Sequence, residues 1–144
     1  LPEIVSTKLL LDKDIKNYLD RNLKLIYTGK TRLAANLLKQ VMGNYVLNDK
    51  KTIDILRKID LIARDMKTNL ENKNLELFGK NMIKSYNLCK MMYKSFTNEQ
   101  IENEIEKIKD NVYGYMLAGA GGGGYLVVLY KEKKKGVIDD EKNV

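Results

Sequence analysis

The chain has 144 residues, 44% hydrophobic, with a formal net charge of +7, one cysteine and no histidine. That length suits one domain with a real core, and the apolar content excludes global disorder. The absence of histidine removes histidine-based acid–base chemistry and a catalytic zinc site of the usual kind.

Leu1 to Leu11 carries acidic Glu3 and lacks the basic start and long apolar centre of a secretory leader. Glu3 to Leu10 reads instead as a first strand entered through Pro2. A chain opening on a strand without Met suggests a fragment or a processed product. Asp12 can cap a short helix, Lys13 to Asp20, with Ile15, Tyr18 and Leu19 on one side. Leu23 to Tyr27 reads as a second strand, so a βαβ unit with a right-handed crossover is expected.

That strand ends at Thr28-Gly29, and Lys30-Thr31-Arg32 then opens a helix from Leu33 to Met42. A turn of this kind at a strand end favours an anion, because helix-terminal amides and cationic side chains act together. Arg32 has the fork for bidentate contact with phosphate or carboxylate. Pairing with a carboxylate at the domain surface is the plainer alternative.

Asn48 can cap a long helix in which Ile53, Leu56, Ile59, Ala63, Met66 and Leu70 recur at three and four. Asn72-Lys73-Asn74 breaks it. The next helix carries Phe78, Met82, Tyr86, Cys89 and Tyr93 on one stripe, broadened by Leu75, Ile83 and Met92. This is core spacing, and Cys89 is a core residue on it. A lone cysteine excludes an internal disulfide and fits a reducing, cytoplasmic setting. After a break at Ser95-Phe96-Thr97, Thr97 with Gln100 makes a capping box for a last helix through Ile101, Ile105 and Ile108.

Val112 to Leu117 and Tyr125 to Tyr130 read as strands flanking Gly119-Ala120-Gly121-Gly122-Gly123-Gly124. Glycine at this density marks backbone that takes positive φ or approaches something closely. Successive amides can form a nest for phosphate, and a tight strand connection is the alternative. A strand follows the glycines, so the dinucleotide fingerprint fails; no Lys-Ser or Lys-Thr follows, so a P-loop fails too. The densest basic run, Lys131-Glu132-Lys133-Lys134-Lys135, lies in the tail, and the other lysines are scattered. Neither a nucleic-acid surface nor a membrane segment is expected. The expected fold is an α+β sandwich of about four strands and five helices, with helices on one face of a small sheet. The two loops could meet at strand ends.

Leu117-Ala118-Gly119-Ala120-Gly121-Gly122-Gly123-Gly124-Tyr125 resembles the third conserved motif of the GHMP small-molecule kinases, named for galactokinase, homoserine kinase, mevalonate kinase and phosphomevalonate kinase. Ile26-Tyr27-Thr28-Gly29-Lys30-Thr31-Arg32-Leu33-Ala34 is similar to the strand-turn-helix segment of the sugar kinases in that family. Within it, the chain looks most like the fucokinase and D-glycero-D-manno-heptose 7-phosphate kinase branch. The resemblance covers residues 1–131 and leaves 132–144 as a charged tail.

It implies a ferredoxin-like C-terminal domain with additional helices, from an enzyme using ATP and Mg²⁺ to phosphorylate a sugar or sugar phosphate. The N-terminal lobe, with its Pro-x-x-x-Gly-Leu-Gly-Ser-Ser loop, catalytic Asp and Mg²⁺ ligands, has no counterpart here. That lobe is the implied partner. By the same resemblance Gly119, Gly121, Gly122, Gly123 and Gly124 would line the cofactor side of a cleft. Thr28, Lys30 and Arg32 would face the substrate, with Arg32 supporting catalysis. Ala118 stands where the family often has Thr, and Tyr125 where it often has Cys or Phe. A non-catalytic ferredoxin-like domain that binds a small molecule or protein is the competing reading.

Overall fold

A computed structural model describes residues 4–29, 34–119 and 121–132. Among these, five helices and three strands follow one another along the chain. Helix α1 (Lys13–Asn22) leads into β1 (Leu23–Tyr27), and α2 (Ala34–Val46), α3 (Lys50–Glu71) and α4 (Leu75–Met92) come next. A 3-10 turn (Lys94–Phe96), α5 (Glu99–Ile108) and a second 3-10 turn (Lys109–Asn111) lead to β2 (Val112–Leu117) and β3 (Tyr125–Tyr130).

The sheet order is β1-β3-β2, with β3 antiparallel to both neighbours. The last strand is thus inserted between the two that the helices connect. This split arrangement belongs to the ferredoxin-like α+β class, here enlarged by extra helices. Alternation along β3 explains its central place. Leu126 and Val128 face α4 and α5 and are fully buried, in one core with Tyr86, Phe96, Ile101, Ile105, Ile108, Val112 and Leu117. Leu129, on the opposite face by alternation, is buried as well. Each such side chain contributes about 1.5–3 kcal/mol on burial, so this small sheet depends on its helices.

Two close approaches set the positions of helices. α4 lies so near β2 that a Cβ at Gly114 would sit 2.1 Å from the Gly79 carbonyl oxygen. Neither position has room for a side chain. A bulge at Tyr113, between Val112 and Gly114, shifts the β2 register there. α1 is tied to the end of β3, because the Tyr18 hydroxyl donates to the Tyr130 carbonyl at 2.8 Å. Burial there pushes the Tyr18 phenol up to about 12.

Several expectations are corrected. Residues 4–10 form no strand, and Ile4, Val5 and Leu10 stand exposed. A run with β-branched and apolar residues makes a strand only when a neighbour pairs with it, and β1 pairs with β3 instead. The expected βαβ unit and fourth strand are therefore absent among the described residues. The helix expected to end at Met42 continues to Val46.

Three caps differ too. The α3 cap is Asp49, whose carboxylate accepts from the Thr52 amide; Asn48 takes φ 55° in the turn before it. The α5 cap is Asn98, accepting from the Ile101 amide, and this frees Thr97 for other bonds. Asp12 stands at the α1 cap position but makes no side-chain cap bond, and pairs with Lys73. Cys89 is half-buried against the core, and burial pushes its thiol up. Of the charged tail, only Glu132 is among the described residues.

Candidate functional site at the paired loops

Strand register decides where the two loops go. Tyr27 is paired with Tyr125, so the residue after β1 and the residue before β3 must lie side by side. They do: the Thr28 amide donates to the Gly124 carbonyl at 2.8 Å, and the Thr28 hydroxyl donates to the same oxygen at 2.9 Å. The Thr28 side chain is 1% exposed. It is a latch between the loops, with its hydroxyl committed to the backbone. On the other side, the Ala118 amide donates to the Tyr125 carbonyl at 2.9 Å and closes the glycine loop.

Gly119, Gly121, Gly122, Gly123 and Gly124 all have positive φ, between 78° and 152°. Their surroundings differ. Gly121, Gly122 and Gly123 are buried, whereas Gly119 is exposed. A Cβ on Gly121 would lie 2.2 Å from a ring carbon of Phe96, so this residue has both a glycine-only φ and no side-chain space. A Cβ on Gly119 or Gly124 would meet nothing within 4 Å. The loop therefore rests its middle on Phe96 and turns open surface outward at both ends.

The support under the loop is the turn between α4 and α5. The Gly122 amide donates to the Phe96 carbonyl at 2.7 Å, so one amide of the expected anion nest is already engaged. The Phe96 ring is held edge-on or tilted by Tyr86 and Tyr93 at centroid distances of 5.5 and 5.6 Å. The next residues support the other loop, where the Gln100 carboxamide lies against Gly29, which has φ 91°. From sequence, Ser95-Phe96-Thr97 reads as a break with Thr97 in a capping box, and Phe96 has no marked role. The available signal was an aromatic residue inside an otherwise polar helix boundary.

Lys30 and Arg32, expected at the substrate side, lie outside the described residues. The described residues hold no group of three or more His, Cys, Asp or Glu side chains arranged to bind a metal. No described helix is long and apolar enough to cross a membrane. On the outward side of the glycine loop, the absence of Cβ atoms at Gly119 and Gly124 leaves the backbone open to close approach.

No protein-family model matches the chain. Over 113 residues it is 32% identical to the L-fucokinase/L-fucose-1-P guanylyltransferase of Bacteroides fragilis, a match covering 78% of this chain and 12% of that protein. Over 127 residues it is 27% identical to the bifunctional fucokinase/GDP-fucose pyrophosphorylase of Arabidopsis thaliana, covering 88% of this chain and 12% of that protein. The chain thus spans 12% of the length of either relative. Among solved structures, L. major mevalonate kinase in complex with R-mevalonate superposes with a TM-score of 0.69 at 19% identity. That match covers 76% of this chain and 33% of the kinase, and establishes a shared fold.

Proposed function

Because the chain is a GHMP-kinase-like domain with fucokinase relatives, we propose that it is the C-terminal lobe of an ATP-dependent sugar or sugar-phosphate kinase. The observation that carries this reading is the latch between the two loops. They are about ninety residues apart in sequence, and a match of 127 residues in a chain of 144 must include both. Their meeting at one end of the sheet gives a single edge from which a nucleotide side and an acceptor side can both be served.

Each part has a distinct task. The glycine loop lines the cleft and braces the nucleotide-phosphate loop of the N-terminal lobe, which is the partner this domain requires, in the same polypeptide or as a separate subunit. Thr28 fixes the spacing between the loops through its two bonds to Gly124. Lys30 and Arg32 carry positive charge to the acceptor side. There a fixed cation stabilises the charge on the transferring oxygens, which is the main way phosphoryl transfer is catalysed. ATP with Mg²⁺ supplies the phosphoryl group. The catalytic carboxylate and the metal ligands belong to the other lobe, and no metal is assigned to the described residues here.

The test is ATP consumption with and without fucose and heptose 7-phosphate, on this chain and on a longer protein that contains it together with an N-terminal lobe. Sugar-dependent turnover in the longer protein alone is the expected result. A longer protein that carries the Gly-Leu-Gly-Ser-Ser loop yet consumes no ATP with either sugar would sink the proposal in favour of a non-catalytic binding domain.

A further inference from the structure

The glycine loop stands on a single turn, and that turn is held by polar contacts that lie away from the loop surfaces described above. The Tyr86 hydroxyl, from the middle of α4, lies 2.6 Å from the Thr97 hydroxyl and donates to a Glu102 carboxylate oxygen at 2.9 Å. Thr97 donates to the same oxygen at 3.0 Å. Lys90, one turn beyond Tyr86, closes the cluster with an ion pair to Glu102 at 2.7 Å. Three side chains, two from α4 and one from the turn, thus converge on one carboxylate oxygen of α5. The residue they fix, Thr97, is the neighbour of Phe96, whose ring sits under Gly121 and whose carbonyl receives the Gly122 amide.

A surface ion pair between α4 and α5 would need none of this. The cluster brings two hydroxyl groups to an oxygen already paired with Lys90, and Tyr86 is a fully buried side chain. Its cost in desolvation is justified only if the position of the turn matters. We propose that Tyr86, Lys90, Thr97 and Glu102 are positioning residues that set the height and orientation of the glycine loop through Phe96. In the kinase reading, on which the second half of this inference rests, the quantity they control is the fit of the loop to the nucleotide side of the cleft. They touch neither substrate nor reacting atoms.

The experiment has two arms. In this chain, amide hydrogen exchange at Gly122 reports directly on its bond to Phe96. Thr97→Val keeps the shape of the side chain but cannot donate to Glu102, and should speed Gly122 exchange about tenfold, the scale of one ordinary hydrogen bond. Amides in the middle of α3 should not change. Thr97→Ser should restore the slow rate. Glu104→Gln, which removes an exposed ion pair to Lys107 on the same helix, should leave it untouched.

The second arm uses the longer protein with ATP and fucose. There Thr97→Val should raise KM for ATP several-fold with KM for the sugar unchanged, and Thr97→Ser should again restore the parent value. A merely structural role would lower the active fraction and leave both KM values alone. Unchanged Gly122 exchange in Thr97→Val overturns the proposal, as does an unchanged KM for ATP in an active enzyme. Faster exchange in this chain, combined with no ATP turnover by the parent longer protein, upholds the hold on the loop and removes the kinase reading instead.

Discussion

Gly121→Ala tests the loop's support with a magnitude that can be worked from the structure. The new Cβ would lie 2.2, 2.6 and 3.0 Å from three ring carbons of Phe96. That ring is 4% exposed and wedged between Tyr86 and Tyr93, so it cannot swing aside. Overpacking a filled site costs about 1–3 kcal/mol. The backbone adds about 1–2 kcal/mol, because φ at this residue is 89°.

The total is about 2–5 kcal/mol, a large share of the stability of an ordinary domain. For a chain of this size that lowers Tm by about 5–15 °C. Gly119→Ala is the matched control, with φ 79° and open space at the Cβ. It should show the backbone part alone. Thermal and urea denaturation of this chain measure both. Phe96→Leu in the Gly121→Ala background should recover part of the loss, with a coupling of about 0.5–3 kcal/mol. Equal losses for the two alanine variants, or no coupling to Phe96, would refute the claim that the loop rests on that ring.

Thr28→Val removes the hydroxyl bond to Gly124 but leaves the amide bond to the same oxygen, so unfolding free energy should fall by about 1 kcal/mol in urea titration. Burial would raise the Glu102 carboxyl, but the hydrogen bonds from Lys90, Tyr86 and Thr97 and the Lys90 charge outweigh it and hold the group below its ordinary 4.5. A depressed folded pKa gives stability that is present above 4.5 and is lost as pH falls through the lower folded value. Glu102→Gln should therefore flatten the acid limb of a stability–pH curve. The effect should be about 1 kcal/mol or less, since the pair is partly exposed. Arg32→Ala in the longer protein should lower kcat at least tenfold while leaving Tm unchanged, by analogy with other cations that stabilise a transferring phosphoryl group. Unaltered kinetics would remove Arg32 from the site.

What the sequence determined by itself were features carried by local pattern. The three- and four-residue spacing in 53–70 and 78–93 specified amphipathic helices, because a helix needs only its own backbone bonds and one apolar face. The β-branched and aromatic runs around the glycines specified β2 and β3, and the glycines themselves marked a loop with positive φ. Residues 4–10 show the limit of such patterns. Ile4, Val5 and Thr7 are β-branched, as in a strand, yet a strand is completed by a neighbour, and neighbours are chosen by the whole fold.

The candidate site divides in the same way. Thr28 and the glycines stood out as residue types, but their meeting follows from the pairing of Tyr27 with Tyr125, a contact between residues 98 positions apart that no local window contains. Phe96, Thr97 and Glu102 were invisible as a unit for the same reason. A turn residue, its helix neighbour and Tyr86 on the preceding helix become one support only when α4 and α5 pack on the same face of the sheet. Local sequence set the elements, and tertiary packing decided which of their ends would share a site.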